Sequence, residues 1–242
     1  MNLGRLTTAV TLAACTTGLA SAESIFTTTG DFNTAANWDN GLPTNANGPG
    51  TIAAGTTASM SADYLMANNG SPSVTDIRIN GTLNTGANEL QLRSGGVGRT
   101  SDVVVGFAPS GAGILNIQNG GLLDIAGAAA DLFLGIVPGS ASGTVNVLDG
   151  GSLGATKTVE VLIGTLFFAD GALQAGSMND ELVVADTGTL AYEIDAVGDN
   201  YLTINGSSLQ VELGTNSTLD LSFSSGPTDG QSFTLISGVS SF

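Results

Sequence analysis

The residues best able to do chemistry in this chain are acids that recur in one phrase. Asp102-Val-Val-Val-Gly106, Asp131-Leu-Phe-Leu-Gly135 and Glu160-Val-Leu-Ile-Gly164 each set a carboxylate ahead of three apolar residues and a glycine, and the two spacings are both 29 residues. If each acid opens the same corner of a stacked unit, the carboxylates lie about 5 Å apart and repel unless water, salt or a cation intervenes. Calcium takes oxygen ligands of this kind, so Asp102, Asp131 and Glu160 form a candidate calcium set, with Asp76 and Glu181 as weaker members. The plainer reading is a row of solvated, screened carboxylates.

Other chemistry is thinly supplied. The chain of 242 residues has no histidine, which removes the commonest general base and metal ligand and every serine-histidine triad. No phosphate-binding loop, dinucleotide fingerprint or zinc spacing is present. A polysaccharide lyase would need a basic residue to take a proton, for which Arg78, Arg93, Arg99 and Lys157 are the only candidates beyond the N-terminal segment. Arg78 and Arg93 alternate with aliphatics, which reads more simply as outward charge on strands. A glycoside hydrolase would need two facing carboxylates; Asp124, Asp149, Asp170 and Asp186 are available, but no spacing singles out a pair. Expected catalytic and cofactor-binding residues are therefore none, with calcium the one candidate ligand.

The elements that carry these residues are short strands. Val103 to Val105, Ile114 to Ile117 and Leu122 to Ile125 are followed, one period later, by Leu132 to Leu134, Thr144 to Val147 and Ser152 to Ala155. Three strands per copy returning at a fixed interval is the pattern of a solenoid, in which each copy buries its apolar edge on the next. Phe107-Ala-Pro-Ser-Gly111 matches Ile136-Val-Pro-Gly-Ser140, and Asn119-Gly-Gly121 matches Asp149-Gly-Gly151, corners where Asn and Gly accept positive φ. Leu115 and Ile117 alternate with Asn116, as Val145 and Val147 do with Asn146, which predicts aliphatic columns inside and asparagines outside. Val104, Phe133 and Leu162 lie between apolar neighbours, so that outward set calls for a cover, best supplied by the N-terminal segment.

The expected fold is all-β, a right-handed parallel β-helix (solenoid) with an N-terminal cap; the alternative is an antiparallel β-sandwich, since Asn-Gly between alternating runs is also a hairpin signal. Weaker copies continue at Asp76-Ile-Arg-Ile79, Glu181-Leu-Val-Val184, Asn200-Tyr-Leu-Thr-Ile204 and Asp220-Leu-Ser-Phe223, later ones shortened by losing loops. The expected organisation is a signal peptide over 1–22, a cap segment over 23–70, β-helix repeats over 71–186, and a C-terminal β continuation or cap over 187–242 that is truncated. Trp38 beside Phe32 reads as packing in that cap, with sugar stacking as the functional alternative.

Arg5, an apolar or small run from Leu6 to Leu19 and the Ala20-Ser21-Ala22 site make a secretory leader; Leu12-Ala13-Ala14-Cys15 offers the competing lipoprotein reading. Cys15 is the only cysteine, so a chain starting near Glu23 has neither disulfides nor thiolate chemistry. Removing Arg5 with the leader leaves four basic against twenty-one acidic residues, a formal charge of −17 instead of −16. Nucleic acid and anionic lipid are poor partners for such a surface, and the mature chain has no membrane span. With 35 glycines and five Lys and Arg together, the composition favours turn-rich β structure over helix.

Asn37-Trp-Asp-Asn-Gly-Leu-Pro-Thr44, Gly113-Ile-Leu-Asn-Ile-Gln-Asn-Gly-Gly121 and Gly230-Gln-Ser-Phe-Thr-Leu-Ile236 resemble secreted bacterial proteins with autotransporter-passenger-like β-strand repeats, including those with a PEP-CTERM sorting tail. The resemblance implies export and a structural or adhesive role at the bacterial surface or in the extracellular matrix, with cell-envelope or extracellular polysaccharide as partner. In that family a sorting tail or an outer-membrane barrel usually follows, which would lie beyond Phe242. The alternative is a secreted carbohydrate-active enzyme, a polysaccharide lyase or hydrolase, on the same scaffold.

Overall fold

The computed structural model describes residues 23–44, 47–67, 76–93, 102–109, 111–126, 130–136, 141–155, 158–169, 172–175, 181–194, 202–203 and 209–224, with scattered positions from there to 241. Residues 1–22, Arg99, Lys157 and Asp170 lie outside them. The chain begins with β1 (Ser24–Phe26) and β2 (Gly30–Asp31) and then winds through β3 (Gly50–Ile52), β4 (Thr57–Ser59) and β5 (Tyr64–Ala67). The next coils are β6 (Ile77–Ile79), β7 (Thr82–Asn84) and β8 (Glu89–Arg93), then β9 (Val103–Val105), β10 (Gly113–Ile117) and β11 (Leu122–Ala126). They are followed by β12 (Asp131–Leu134), β13 (Gly143–Leu148) and β14 (Ser152–Ala155), and by β15 (Thr158–Ala169) with β16 (Ala172–Ala175). Beyond lie β17 (Glu181–Ile194), β18 (Leu202–Thr203), β19 (Leu209–Leu213), β20 (Thr218–Phe223), β21 (Ile236–Ser237) and β22 (Val239–Ser241).

Strands pair with their equivalents one coil away, and every pairing between named strands is parallel. The first face stacks β1, β3, β6, β9, β12 and β15; the second stacks β2, β4, β7, β10, β13 and β15; the third stacks β5, β8, β11, β14 and β16. Five coils thus place a strand on all three faces of this main stack. Leu115 faces Val145 in parallel register, so the antiparallel sandwich is excluded and the parallel β-helix is the fold.

The core is built of vertical columns. On the second face Ala58, Leu83, Leu115, Val145, Leu166 and Leu190 stand in register, each at most 2 % exposed. Ile52, Ile79, Val105, Leu134, Val161 and Val184 do the same on the first, all fully buried. Strand alternation sends these residues inward and their neighbours outward, and each aliphatic removed from water contributes roughly 1.5–3 kcal/mol.

Both ends of the stack join it directly. Ser24 and Phe26 pair with Gly50 and Ile52, so the chain already winds as a first coil from β1. What closes its end is an aromatic plug: Trp38 contacts Phe26 and Phe32 edge-on, both at 5.1 Å between ring centroids, and its indole N–H donates to the Phe32 carbonyl at 2.8 Å. Trp38 is 4 % exposed, so it packs the end and presents no ring to a sugar. At the other end β17 runs through position 187 and pairs onward with β19 and β20 as further coils.

The period is also less regular than the phrase suggests. Leu132 sits over Val103, the expected 29-residue step, but Leu115 to Val145 takes 30 and Gly143 to Gly164 only 21. β15 passes the corner between the first and second faces without the loop that the previous coils have there, and its pairing with β17 shifts register between Val161 and Ile163. Before β15, the connection from β14 is shorter than the one from β11 to β12, so Glu160 stacks on Phe133, not on Asp131, whose neighbour is Thr158. Leu162 falls at that shift and leaves the outward column, which runs Arg78, Val104, Phe133, Glu160 and Val183. The Asn200–Ile204 and Asp220–Phe223 copies belong to other faces: Leu202 and Thr203 form β18, which pairs with β21, and Asp220 sits on the second face beside Ala191.

The corner itself depends on a glycine column, Gly113, Gly143, Gly164 and Gly188, stacked in register. A Cβ on Gly113 would lie 2.0 Å from the Ile79 carbonyl oxygen, and one on Gly143 2.2 Å from that of Val105. At the opposite end of the strand Asn119 and Asp149 take φ of 56° and 51° and turn the chain toward the third face, as the Asn-Gly and Asp-Gly pairs foretell.

Leu115→Ala is expected to lose about 3 kcal/mol of stability by opening a cavity that neighbouring coils cannot fill. Gly143→Ala is expected to cost more than an ordinary surface substitution because its Cβ meets backbone. Chemical denaturation of both variants reads these losses.

Candidate functional site

At the entry to the first face the acids do stack, but with a different partner from the one their charge suggests. Asp102 pairs in register with Asp131 through the Val103–Leu132 ladder. Its carboxylate accepts the Asp131 main-chain N–H at 3.1 Å, and the Asp76 carboxylate accepts that of Asp102 at 3.2 Å. Each acid satisfies a donor that the strand above would otherwise leave without a ladder partner, and an N–H dipole aimed at a carboxylate offsets the like-charge repulsion. The column reads Asp76, Asp102, Asp131, Thr158, and of the candidate calcium set Glu160 stands apart from it. Among the described residues no group of three or more His, Cys, Asp or Glu is placed to hold a metal ion.

Both described candidate bases are held in ion pairs. Arg78 lies 3.3 Å from the Glu23 carboxylate and 3.7 Å from that of Asp76, with its guanidinium 4.6 Å from the Phe107 ring centroid. Phe107 of the loop after β9 and Glu23 thus both meet the outward column at Arg78, and the neighbouring Val104 is only 4 % exposed. Arg93 on β8 bridges one coil to Asp124 on β11 at 2.5 Å. The hydrogen bond that Arg93 donates to Asp124 holds the guanidinium pKa above its ordinary value, which makes Arg93 a poor proton acceptor. Of the remaining acids, Asp149 forms a turn, and Asp186 accepts the Asn216 N–H at 3.2 Å.

The most regular polar surface lies on the outer side of the second face, where two columns run along the axis. One is Thr57, Thr82, Ile114, Thr144, Thr165 and Thr189. The other is Ser59, Asn84, Asn116 and Asn146, continued by Phe167. The Asn146 amide donates to the Asn116 side-chain oxygen at 2.8 Å, Asn116 donates to Asn84 at 2.7 Å, and Asn84 to the Ser59 hydroxyl at 3.3 Å. Parallel register makes this ladder unavoidable once the same amide recurs at the same position. The asparagines were expected to face outward, but the bonds between them and the threonine column were not foreseen. The signal was present: Gly81-Thr-Leu-Asn84, Gly113-Ile-Leu-Asn116, Gly143-Thr-Val-Asn146, Gly164-Thr-Leu166 and Gly188-Thr-Leu190 are one phrase, carrying corner glycine, outward hydroxyl, core aliphatic and outward amide.

Two tyrosines report on the ends of the core. Tyr64 donates its hydroxyl to the Pro43 carbonyl beside the aromatic plug, and burial pushes its pKa up to about 12; burial also raises that of Tyr192. No helix among the described residues is long and apolar enough to cross a membrane. Comparison with known proteins finds no family model, no curated relative and no solved structure that matches this chain.

Asp102→Ala leaves the Asp131 N–H without its carboxylate and is expected to cost about 1–3 kcal/mol in denaturant titrations. Because the folded tyrosines hold their protons above the unfolded value near 10, their contribution is intact below that pH. It falls as pH rises from about 10 through the folded value of about 12 for Tyr64. Melting temperatures should fall over that window, and less so in Tyr64→Phe.

Proposed function

We propose that this protein is an exported, non-enzymatic structural or adhesive β-solenoid of the bacterial cell surface or extracellular matrix. Its work is to present a long, repeated outer face rather than to gather reactive groups in a cleft. The observation that carries this reading is the second face: successive coils set the same neutral polar side chains in register, and the amides bond to one another along the axis. Such an array is rigid because each rung is held by the next, and a rigid surface loses little entropy on contact. It suits many weak contacts to an extended partner, of which cell-envelope and extracellular polysaccharides are the class proposed.

Of the bases that a lyase would draw on, the two described, Arg78 and Arg93, are committed to Glu23, Asp76 and Asp124, which supports a structural over a catalytic role. Export rests on the leader-like start from Arg5 to Ala22. When the full chain is produced in a Gram-negative host, the outer or extracellular fraction should contain protein whose N-terminus begins near Glu23. Retention of the intact chain in the cytosol would overturn export. Incubation with acidic and neutral polysaccharides should release no new chain ends; depolymerisation abolished by Asp124→Asn would replace this reading with the enzymatic one.

A further inference from the structure

We infer that the outer side of the second face binds a neutral, hydroxyl-rich glycan lying along the solenoid axis over Asn84, Asn116, Asn146 and Phe167. This deepens the adhesive reading above and rests on it. Each asparagine amide carries two N–H donors and a carbonyl oxygen with two lone pairs. The ladder uses one donor each of Asn84, Asn116 and Asn146 and one lone pair each of Asn84 and Asn116. Each amide has further hydrogen-bonding capacity beyond the ladder, which a sugar hydroxyl, being donor and acceptor at once, can satisfy. Phe167 continues the same column one coil above Asn146 and is partly exposed, giving an apolar ring on which the C–H face of a sugar can rest.

Charge selects among polymers. The chain carries −16 overall, yet the two outward columns of this face, Thr57 to Thr165 and Ser59 to Phe167, hold only Thr, Ser, Asn, Ile and Phe, with Asp31 one coil below Ser59. A carboxylated or sulfated polymer meets no cation there and is repelled by the rest of the surface, whereas a neutral one loses nothing. The rungs repeat at about 4.8 Å, so one extended chain engages several in succession and sums contacts that are individually weak. The amides are already locked by their neighbours, so binding need not immobilise them.

Affinity electrophoresis of the full chain through gels holding hydroxyethyl cellulose or polygalacturonate tests the inference. The neutral polymer should retard the wild type and the anionic one should not. Phe167→Ala and Asn116→Leu should each weaken the retardation about tenfold while Glu212→Gln, on the first face, leaves it unchanged. Should Asn116→Leu melt far below the wild type, Thr165→Glu replaces it, placing a charge on the face without touching the ladder. Equal retardation by the anionic polymer, or well-folded face variants that run as the wild type does, overturns the inference. So does a wild type that neither polymer slows, and that result leaves surface location and the structural role standing, because those are read from fractionation.

Discussion

The hydrogen-bonded register between one coil and the next is the constraint from which the other features follow. A parallel pairing repeated without offset places each residue directly over its equivalent, so whatever the chain puts at one position is multiplied along the axis. Aliphatics become buried columns, asparagines a ladder, aspartates a string of carboxylates tied to main-chain N–H groups. Only like residues, or residues that satisfy one another, are tolerated at a given position. That rule accounts for a core built without disulfides in a chain with few charged residues and, among the described residues, little helix.

The corners set how freely the coils can vary. Between the first and second faces the backbone of one coil comes so close to the carbonyls of another that a side chain has no room, which is why glycine recurs there while the loop leading to it changes length. β9 and β12 reach the corner through loops, and β15 crosses it as one bent strand. The stack absorbs the difference because loop length affects only the periphery, whereas the pairing on either side is unchanged. The ends differ as well. Phe26, Phe32 and Trp38 close the first coil, while Leu213, Leu219, Leu221 and Phe223 of β19 and β20, in register with core positions of β17, are about half exposed.

Outward positions divide the surface by chemistry. The first face carries an Arg78, Val104, Phe133, Glu160 column in which Arg78 is paired with Glu23 and Asp76 and lies over the Phe107 ring. The second carries neutral amides and hydroxyls. In a strongly acidic protein an uncharged strip several coils long is the surface on which a neutral polymer can approach at least electrostatic cost, and this makes the second face, rather than the acid column, the centre of the functional reading.

From residues alone the parallel solenoid was legible, because a three-strand unit returning near 29 residues demands a stacked architecture, and the alternation about Asn116 and Asn146 told inside from outside. So were the turns at Asn119 and Asp149, where local chemistry decides the conformation. Register was not. The acid of Glu160-Val-Leu-Ile-Gly164 imitates those of Asp102 and Asp131 in sequence, yet a shorter connection before β15 moves Glu160 onto Phe133 and the loss of a loop after it moves Gly164 onto Gly143. The partners of Asp76, Asp102 and Arg93 likewise lie a whole coil away. Periodicity belongs to the chain and can be read along it; contact belongs to the pairing between coils, which is set by the length of each intervening loop and exists only once the chain has wound.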